Sequence, residues 1–183
     1  MNTHFIGILK ALDTITEGGA DYQEEYKQYI IAHKRRVKQF AYWLKENLPE
    51  VFTDIDYNVD IEDFDELIAE HDQSKFSDEE FEAYAQYFYG SKDNDFEFDQ
   101  AWEHHWMNNE HHPEYWMGKD MPYIYILEMI CDWGSFGIEK GDMTELVDYY
   151  YSKARDDKEK NLSDNTKEII EEILYKIKEV ADG

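Results

Sequence analysis

Apolar side chains recur every three or four residues along much of this chain, and that spacing is the period of an α-helix. The clearest stripe consists of Tyr26, Ile30, His33, Val37, Phe40 and Leu44. No run of the sequence alternates apolar and polar residues convincingly, as a half-buried strand would. The pattern therefore predicts an all-α fold.

Start and stop residues predict where the helices begin and end. The stripe indicates a long helix over about 21–48, which Pro49 closes. Ser77 with Glu80 three residues later is typical of a capping box, and Gly90 is a plausible stop, so a second helix is expected between them. Further helices are predicted at about 62–72, 97–110, 121–133, 144–155 and 165–181.

Composition and organisation limit the class of protein. Residues 1–183 contain no repeat and no Ser/Pro-rich linker, so we expect a single domain. The net charge of −25 repels phosphate backbones and anionic membranes, which argues against general nucleic-acid binding. The single cysteine, Cys131, excludes an internal disulfide, and residues 1–19 lack the pattern of a signal peptide, a basic start followed by a long apolar run. These features favour a soluble, cytoplasmic protein without membrane contact.

Several ionisable side chains fall on faces that should be buried. His33 occupies the apolar stripe of the first helix, and Glu128 and Asp132 interrupt an otherwise apolar stretch from 123 to 133. Burying an unpaired carboxylate is costly, so a positive group should face Asp132. That group is either an arginine such as Arg36 or a divalent metal ion.

A third cluster of polar residues contains four of the seven histidines, at positions 104, 105, 111 and 112. Helical spacing places His105 and His112 on one stripe with Phe98, Trp102 and Asn109, whereas His104 and His111 lie about 100° away. We therefore expect His105 and His112 to face inward. The alternative is an aromatic-rich helix with histidines at its surface, which ends near Pro113.

In chain order, His33, the pair His71 and Asp72, and Asp132 resemble the ligands of the HD-domain superfamily of metal-dependent phosphohydrolases. The segment HKRRVKQFAYWL is similar to the first ligand helix of that family, and HDQSK matches its HDxxK form, with Lys75 in the lysine position. The resemblance covers about 26–136 and leaves 137–183 as a C-terminal helical extension. It implies a compact HD-like helical bundle in which these four residues bind a metal ion.

This resemblance implies hydrolysis of a nucleotide or small phosphorylated metabolite. Imidazole and carboxylate ligands suit Mn²⁺, Fe²⁺, Co²⁺, Ni²⁺ or Zn²⁺, and a bound ion would activate a water molecule for attack on phosphorus. Asp72 or Asp132 would hold that water, and Lys75 with Arg36 would neutralise the phosphate charge. Glu128 would act as a general acid or base, orient a histidine, or pair with an arginine.

The histidine segment resembles the additional histidines of superfamily members that hold two metals, and similar segments occur in phage and bacterial relatives. His105 and His112 are then candidate ligands of a second ion. One alternative function on the same fold is oxidative chemistry at two irons. Another is a non-enzymatic acidic protein that mimics nucleic acid, because Asp54 to Asp99 contains seventeen acids and two lysines.

Overall fold

The computed structural model describes residues 22–53, 57–90 and 95–182, and within these ranges the fold is all-α, as predicted. The predicted single domain also includes residues 1–21, which lie outside the described residues. No helix in the described ranges has the length and apolar character needed to cross a membrane. The helices are α1 (Tyr22–Asn47), α2 (Ile61–Glu70), α3 (Phe81–Tyr89), α4 (Asp95–Met107), α5 (Pro113–Trp116), α6 (Tyr123–Lys140), α7 (Glu145–Tyr149) and α8 (Asp164–Asp182).

Short 3₁₀ and π-helical segments connect some of these elements. Pro49–Phe52 and Gln73–Phe76 are 3₁₀ turns, and the second of them follows directly on the pair His71 and Asp72. Tyr150–Ala154 is a π-turn that continues α7. Such turns are frequent at functional sites because they change the direction in which neighbouring side chains point.

The antiparallel-like pairing of α1 with α6 forms the centre of the molecule. The stripe predicted for α1 is buried along its whole length, including His33, which is 3% exposed. Gly134 on α6 permits a close approach, since a Cβ atom there would lie 2.4 Å from the ring of Phe40 on α1. This contact brings His33 and Asp132 onto facing surfaces of the two helices.

Two apolar clusters surround this pair of helices. The larger one joins α1, α2, α6, α7 and α8. The smaller one is rich in aromatic rings and lies between α1, α3 and α4, with Tyr26 and Tyr84 buried at its centre. The polar side chains with metal-binding chemistry lie between the two clusters.

The α6 helix continues to Lys140 and does not end near residue 133, and two further boundaries differ from those predicted. The α3 helix begins at Phe81, and the side chain of Glu80 makes no capping hydrogen bond, so the capping-box interpretation was wrong. The α4 helix ends at Met107 because the side chains of Asn108 and Asn109 donate hydrogen bonds to the carbonyls of His104 and His105. Both differences bear directly on the site described below.

Candidate metal centre

The pair His71 and Asp72 lies where α2 gives way to the following 3₁₀ turn. His71 directly follows Glu70, the last residue of α2, and Asp72 has φ 56° and ψ 22°, in the left-handed region of backbone conformations. This bend turns both side chains inward, where each is no more than 2% exposed. Asp72 is therefore placed between the helices that carry the other candidate ligands.

One oxygen of Asp72 faces His33 and His71, which with Asp132 are the other candidate ligands of the first ion. Its Oδ2 atom lies 3.3 Å from His33 Nε2 and 3.6 Å from His71 Nε2. The Oδ1 atom of Asp132 lies 3.1 Å from His33 Nε2 and 3.7 Å from His71 Nε2. His33, His71 and Asp72 thus offer donor atoms that all lie within 4.8 Å of one another, and Asp132 contacts both histidines.

The other oxygen of Asp72 faces the histidine segment. Its Oδ1 atom lies 3.3 Å from His105 Nε2 and 3.6 Å from His111 Nε2. The Nε2 atoms of His105 and His112 are 2.9 Å apart. These four residues offer donor atoms that all lie within 4.8 Å of one another.

The hydrogen bonding of these atoms fits metal binding. The Nε2 atoms of His33, His71 and His111 and the Oδ1 atom of Asp72 are buried without a hydrogen-bond partner, which is costly unless another group meets them. Ligands about 2.0–2.2 Å from a tetrahedral or octahedral ion are separated by roughly 2.8–3.6 Å, close to the distances above. These buried groups can therefore hold a metal ion.

Glu128 orients one histidine of each set. Its Oε1 atom lies 2.9 Å from His71 Nδ1 and 3.2 Å from His111 Nδ1. Because an ionised carboxylate only accepts hydrogen bonds, each Nδ1 atom donates to Glu128, and in the neutral form both rings present the lone pair of Nε2 toward Asp72. Of the roles predicted for Glu128, the structure favours orientation of histidines over pairing with an arginine, since Arg36 lies 3.8 Å from Glu139.

Glu80 plays the corresponding part for His105, and the sequence analysis missed it. Its two carboxylate oxygens lie 2.8 Å from His104 Nδ1 and 2.9 Å from His105 Nδ1, and the residue is fully buried. A glutamate three residues after a serine is indistinguishable from a capping box in sequence. No signal in the sequence separates the two roles, because Glu80 lies just before the first residue of α3 and therefore outside its period.

His111 was also placed incorrectly by helical spacing. The α4 helix ends at Met107, so its period cannot be extended to residues 111 and 112. The turn that follows carries both His111 and His112 toward His105, whereas His104 contacts Glu80. The segment therefore contributes three histidines to the centre rather than the two that were predicted.

Charge interactions hold the carboxylates in their ionised form. Burial raises the pKa of Asp72, but Lys75, His71 and His105 outweigh this effect and bring the pKa well below its usual range. The pKa of Asp132 is likewise lowered by His33 and His71. Burial lowers the pKa of His71, but Asp72, Asp132 and Glu128 together raise it to about 10.

A cavity opens beside the centre, and two lysines line it. Lys75, a predicted substrate-binding residue, lines the cavity and donates a 2.6 Å hydrogen bond to Asp72 Oδ2. Lys160, from the segment between α7 and α8, lines the same cavity and pairs with Glu114 at 3.3 Å. Arg36 is not in the cavity wall, which comprises His33, Lys75, Tyr84, Trp102, His105, His111, His112, Pro113, Asp132, Trp133, Phe136, Tyr149 and Lys160.

Comparison with known proteins places this centre in a family. No curated protein and no solved structure matches the chain. The model described as "Family of unknown function (DUF5662)" matches residues 22–176, a span that contains all the candidate ligands and Lys160. The chain therefore belongs to the DUF5662 family.

Proposed function

We propose that this protein is a metal-dependent phosphohydrolase that acts on a nucleotide or another small phosphorylated metabolite. His33, His71, Asp72 and Asp132 would hold one divalent ion, and Asp72, His105, His111 and His112 would hold a second. The cofactor would be Mn²⁺, Fe²⁺, Co²⁺, Ni²⁺ or Zn²⁺, since these ions accept mixed imidazole and carboxylate ligands. Resemblance to the HD-domain superfamily supports the same activity.

This proposal depends mainly on one observation, which is that the two carboxylate oxygens of Asp72 face two different sets of imidazoles. Its Oδ2 atom faces His33 and His71, while its Oδ1 atom faces His105 and His111. A carboxylate that bridges two ions presents its oxygens in this way. Two ions held about 3.5–4 Å apart are typical of enzymes that cleave phosphate esters, because together they stabilise the attacking and leaving oxygens.

The chain supplies the remaining requirements of phosphate hydrolysis. Divalent ions bound here would lower the pKa of coordinated water from ~16 toward neutrality, which provides a nucleophile at physiological pH. Asp132 is 18% exposed on its side chain and lies at the cavity wall, where it can accept a hydrogen bond from water. Lys75 and Lys160 add positive charge to the same cavity, which offsets the acidic surface locally for an anionic substrate.

Elemental analysis of freshly purified protein, followed by a phosphoester screen, tests the proposal. We expect about two transition-metal ions per chain. Protein stripped by a chelator should lose hydrolysis of nucleoside monophosphates or small phosphate esters, and one of the five divalent ions should restore it. Protein that contains no metal and hydrolyses none of these esters after metal addition would contradict the proposal.

Substitution of single ligands tests the two metal-binding sets separately. His33→Ala and Asp132→Ala should each lower the metal content from two ions to about one, as should His105→Ala. Asp72→Ala should remove both ions, because it belongs to both sets, and exposed Glu79→Gln serves as a control that keeps both. Retention of full metal content in both His33→Ala and Asp132→Ala would exclude the first set. Two irons with oxygen-dependent turnover and no hydrolysis would instead favour oxidative chemistry.

A further inference from the structure

Tyr84 carries a buried hydroxyl group that has no hydrogen-bond partner. The residue lies on α3, is 2% exposed and lines the cavity beside the candidate metal centre. Its ring packs edge-on against that of His105, with 6.0 Å between the ring centroids. A buried hydroxyl that lacks a partner is destabilising, so its retention at a cavity wall points to a group that binds there.

None of the neighbouring carboxylate oxygens accepts a hydrogen bond from the Tyr84 hydroxyl. Both oxygens of Glu80 accept hydrogen bonds from His104 and His105, and Asp72 Oδ2 accepts one from Lys75. The remaining oxygen, Asp72 Oδ1, faces the imidazole Nε2 atoms of His105 and His111. The Tyr84 hydroxyl thus has no hydrogen-bond acceptor among the described residues, and a group bound in the cavity can supply one.

We propose that the Tyr84 hydroxyl donates a hydrogen bond to an oxygen of the phosphate group held in the cavity. This inference rests on the proposed function, because it takes the ligand to be a phosphate ester or its inorganic phosphate product. Tyr84 is then a substrate-binding residue on the side of the cavity where His105 lies. Its phenol would complement the charge supplied by Lys75 and Lys160 with a directional contact.

The charge around Tyr84 keeps the hydroxyl in the form that donates. Burial raises the pKa of Tyr84 well above its usual value, and the carboxylates of Glu80 and Asp72 raise it further. A tyrosine with even its ordinary pKa, near 10, is a neutral phenol at physiological pH. A neutral phenol can approach an anionic phosphate without the repulsion that a phenolate would cause.

Tyr26 provides a matched control for this proposal. Its hydroxyl is also buried without a partner, it is 1% exposed, and its ring stacks on that of Tyr84 at 6.0 Å and 4°. Tyr26 lies behind Tyr84, within the aromatic cluster between α1 and α3, and is not in the cavity wall. Removal of either hydroxyl deletes the same atom from the same cluster, but only Tyr84 is a residue of the cavity wall.

The experiment compares Tyr84→Phe and Tyr26→Phe with wild type, each loaded with the divalent ion that supports activity. Calorimetric titration with inorganic phosphate measures ligand binding, and steady-state hydrolysis of para-nitrophenyl phosphate measures kcat/KM. Tyr84→Phe should weaken phosphate binding and lower kcat/KM by roughly 10- to 100-fold, the range expected for a hydrogen bond to a charged group. Its metal content and Tm should match those of wild type, and Tyr26→Phe should match wild type in all four measurements.

Phosphate binding and kcat/KM in Tyr84→Phe that equal those of wild type would overturn this inference while leaving the proposed function in place. Equal losses in Tyr84→Phe and Tyr26→Phe would also overturn it, because they would indicate a general disturbance of the aromatic cluster. If metal-loaded wild type neither binds phosphate nor hydrolyses the ester, then the proposed function and this inference both fail.

Discussion

Asp72 adopts a backbone conformation that residues other than glycine rarely use, with φ 56°. Aspartate tolerates this region better than most residues, but the conformation still costs free energy. The bend allows the carboxylate to lie between two groups of imidazoles while Lys75, three residues later, contacts one of its oxygens. The strained backbone at Asp72 thus places its carboxylate where both sets of ligands need it.

Glu80 permits a test at the level of a single atom. Glu80→Gln replaces one carboxylate oxygen with an amide, so the acceptor that fixes Nδ1 of His105 is weakened. We expect a 10- to 100-fold lower affinity for the second ion, as is typical when a residue that orients a metal ligand is altered. Elemental analysis after dialysis at limiting metal should give about one ion per chain. The adjacent, exposed Glu79→Gln should keep two, and two ions in Glu80→Gln would contradict the assignment.

The raised pKa of His71 predicts how the stability of the metal-free protein depends on pH. Its pKa rises from 6.5 to about 10 on folding, so the protonated ring stabilises the folded state fully below pH 6.5. That stabilisation is lost as pH increases toward 10. In the presence of a chelator, Tm should therefore fall between pH 6.5 and pH 9, and His71→Asn should reduce the fall. In metal-loaded protein Tm should decrease less, since the ion takes the place of the proton on His71. If Tm of His71→Asn in the presence of a chelator falls with pH as much as that of wild type, then protonation of His71 is not the cause.

The contact between α1 and α6 determines how closely His33 and Asp132 approach each other. Gly134→Ala would place a methyl group against the Phe40 ring and should lower the free energy of unfolding by about 1–3 kcal/mol. Thermal unfolding measures this effect, and metal titration should show weaker binding of the first ion. Phe40→Leu in the same chain makes room for the methyl group and should restore part of both losses. Additive losses in the double variant would show that the two side chains do not compete for space.

Inside helices, the sequence predicted the candidate site well. The apolar stripe of α1 predicted that His33 is buried, and it is. The apolar character of α6 predicted that Glu128 and Asp132 need partners, and the structure gives both residues histidine partners. His111 and Glu80 were misjudged because both lie beyond a helix terminus, at the end of α4 and the beginning of α3. Periodicity describes only residues that share one helix, and the direction of the chain past the last turn depends on tertiary contacts such as those of Asn108 and Asn109.

At the scale of the whole molecule, the C-terminal part of the chain helps to form the cavity. The resemblance to known ligand motifs ended near residue 136, yet Tyr149 and Lys160 lie in the cavity wall. Burial alone would lower the pKa of Lys160, but Glu114 foremost raises it, so the ammonium group stays charged. No periodic pattern marked this lysine, because its position depends on the path of the loop before α8.

Lys160→Met should therefore raise the KM for para-nitrophenyl phosphate several-fold, with the metal content unchanged, because a buried cation near the anionic substrate is lost. The double variant with Glu114→Gln avoids a buried unpaired carboxylate and should show the same increase with less loss of stability. Exposed Lys158→Met controls for the change in net charge. Identical increases in KM for Lys160→Met and Lys158→Met would mean that overall charge, not the cavity, attracts the substrate.

The single carboxylate of Glu128 holds His71 and His111, which belong to different sets of ligands. When an ion fixes one of these rings, Glu128 becomes fixed too, and the second ring is then oriented before its own ion arrives. With two ions bound as proposed, part of the ordering entropy of the second binding step would be spent in the first, which would make the two steps cooperative. As the metal supply falls, chains should pass from fully occupied to empty with few half-occupied intermediates, so scarcity would change the number of active molecules and not the activity of each one.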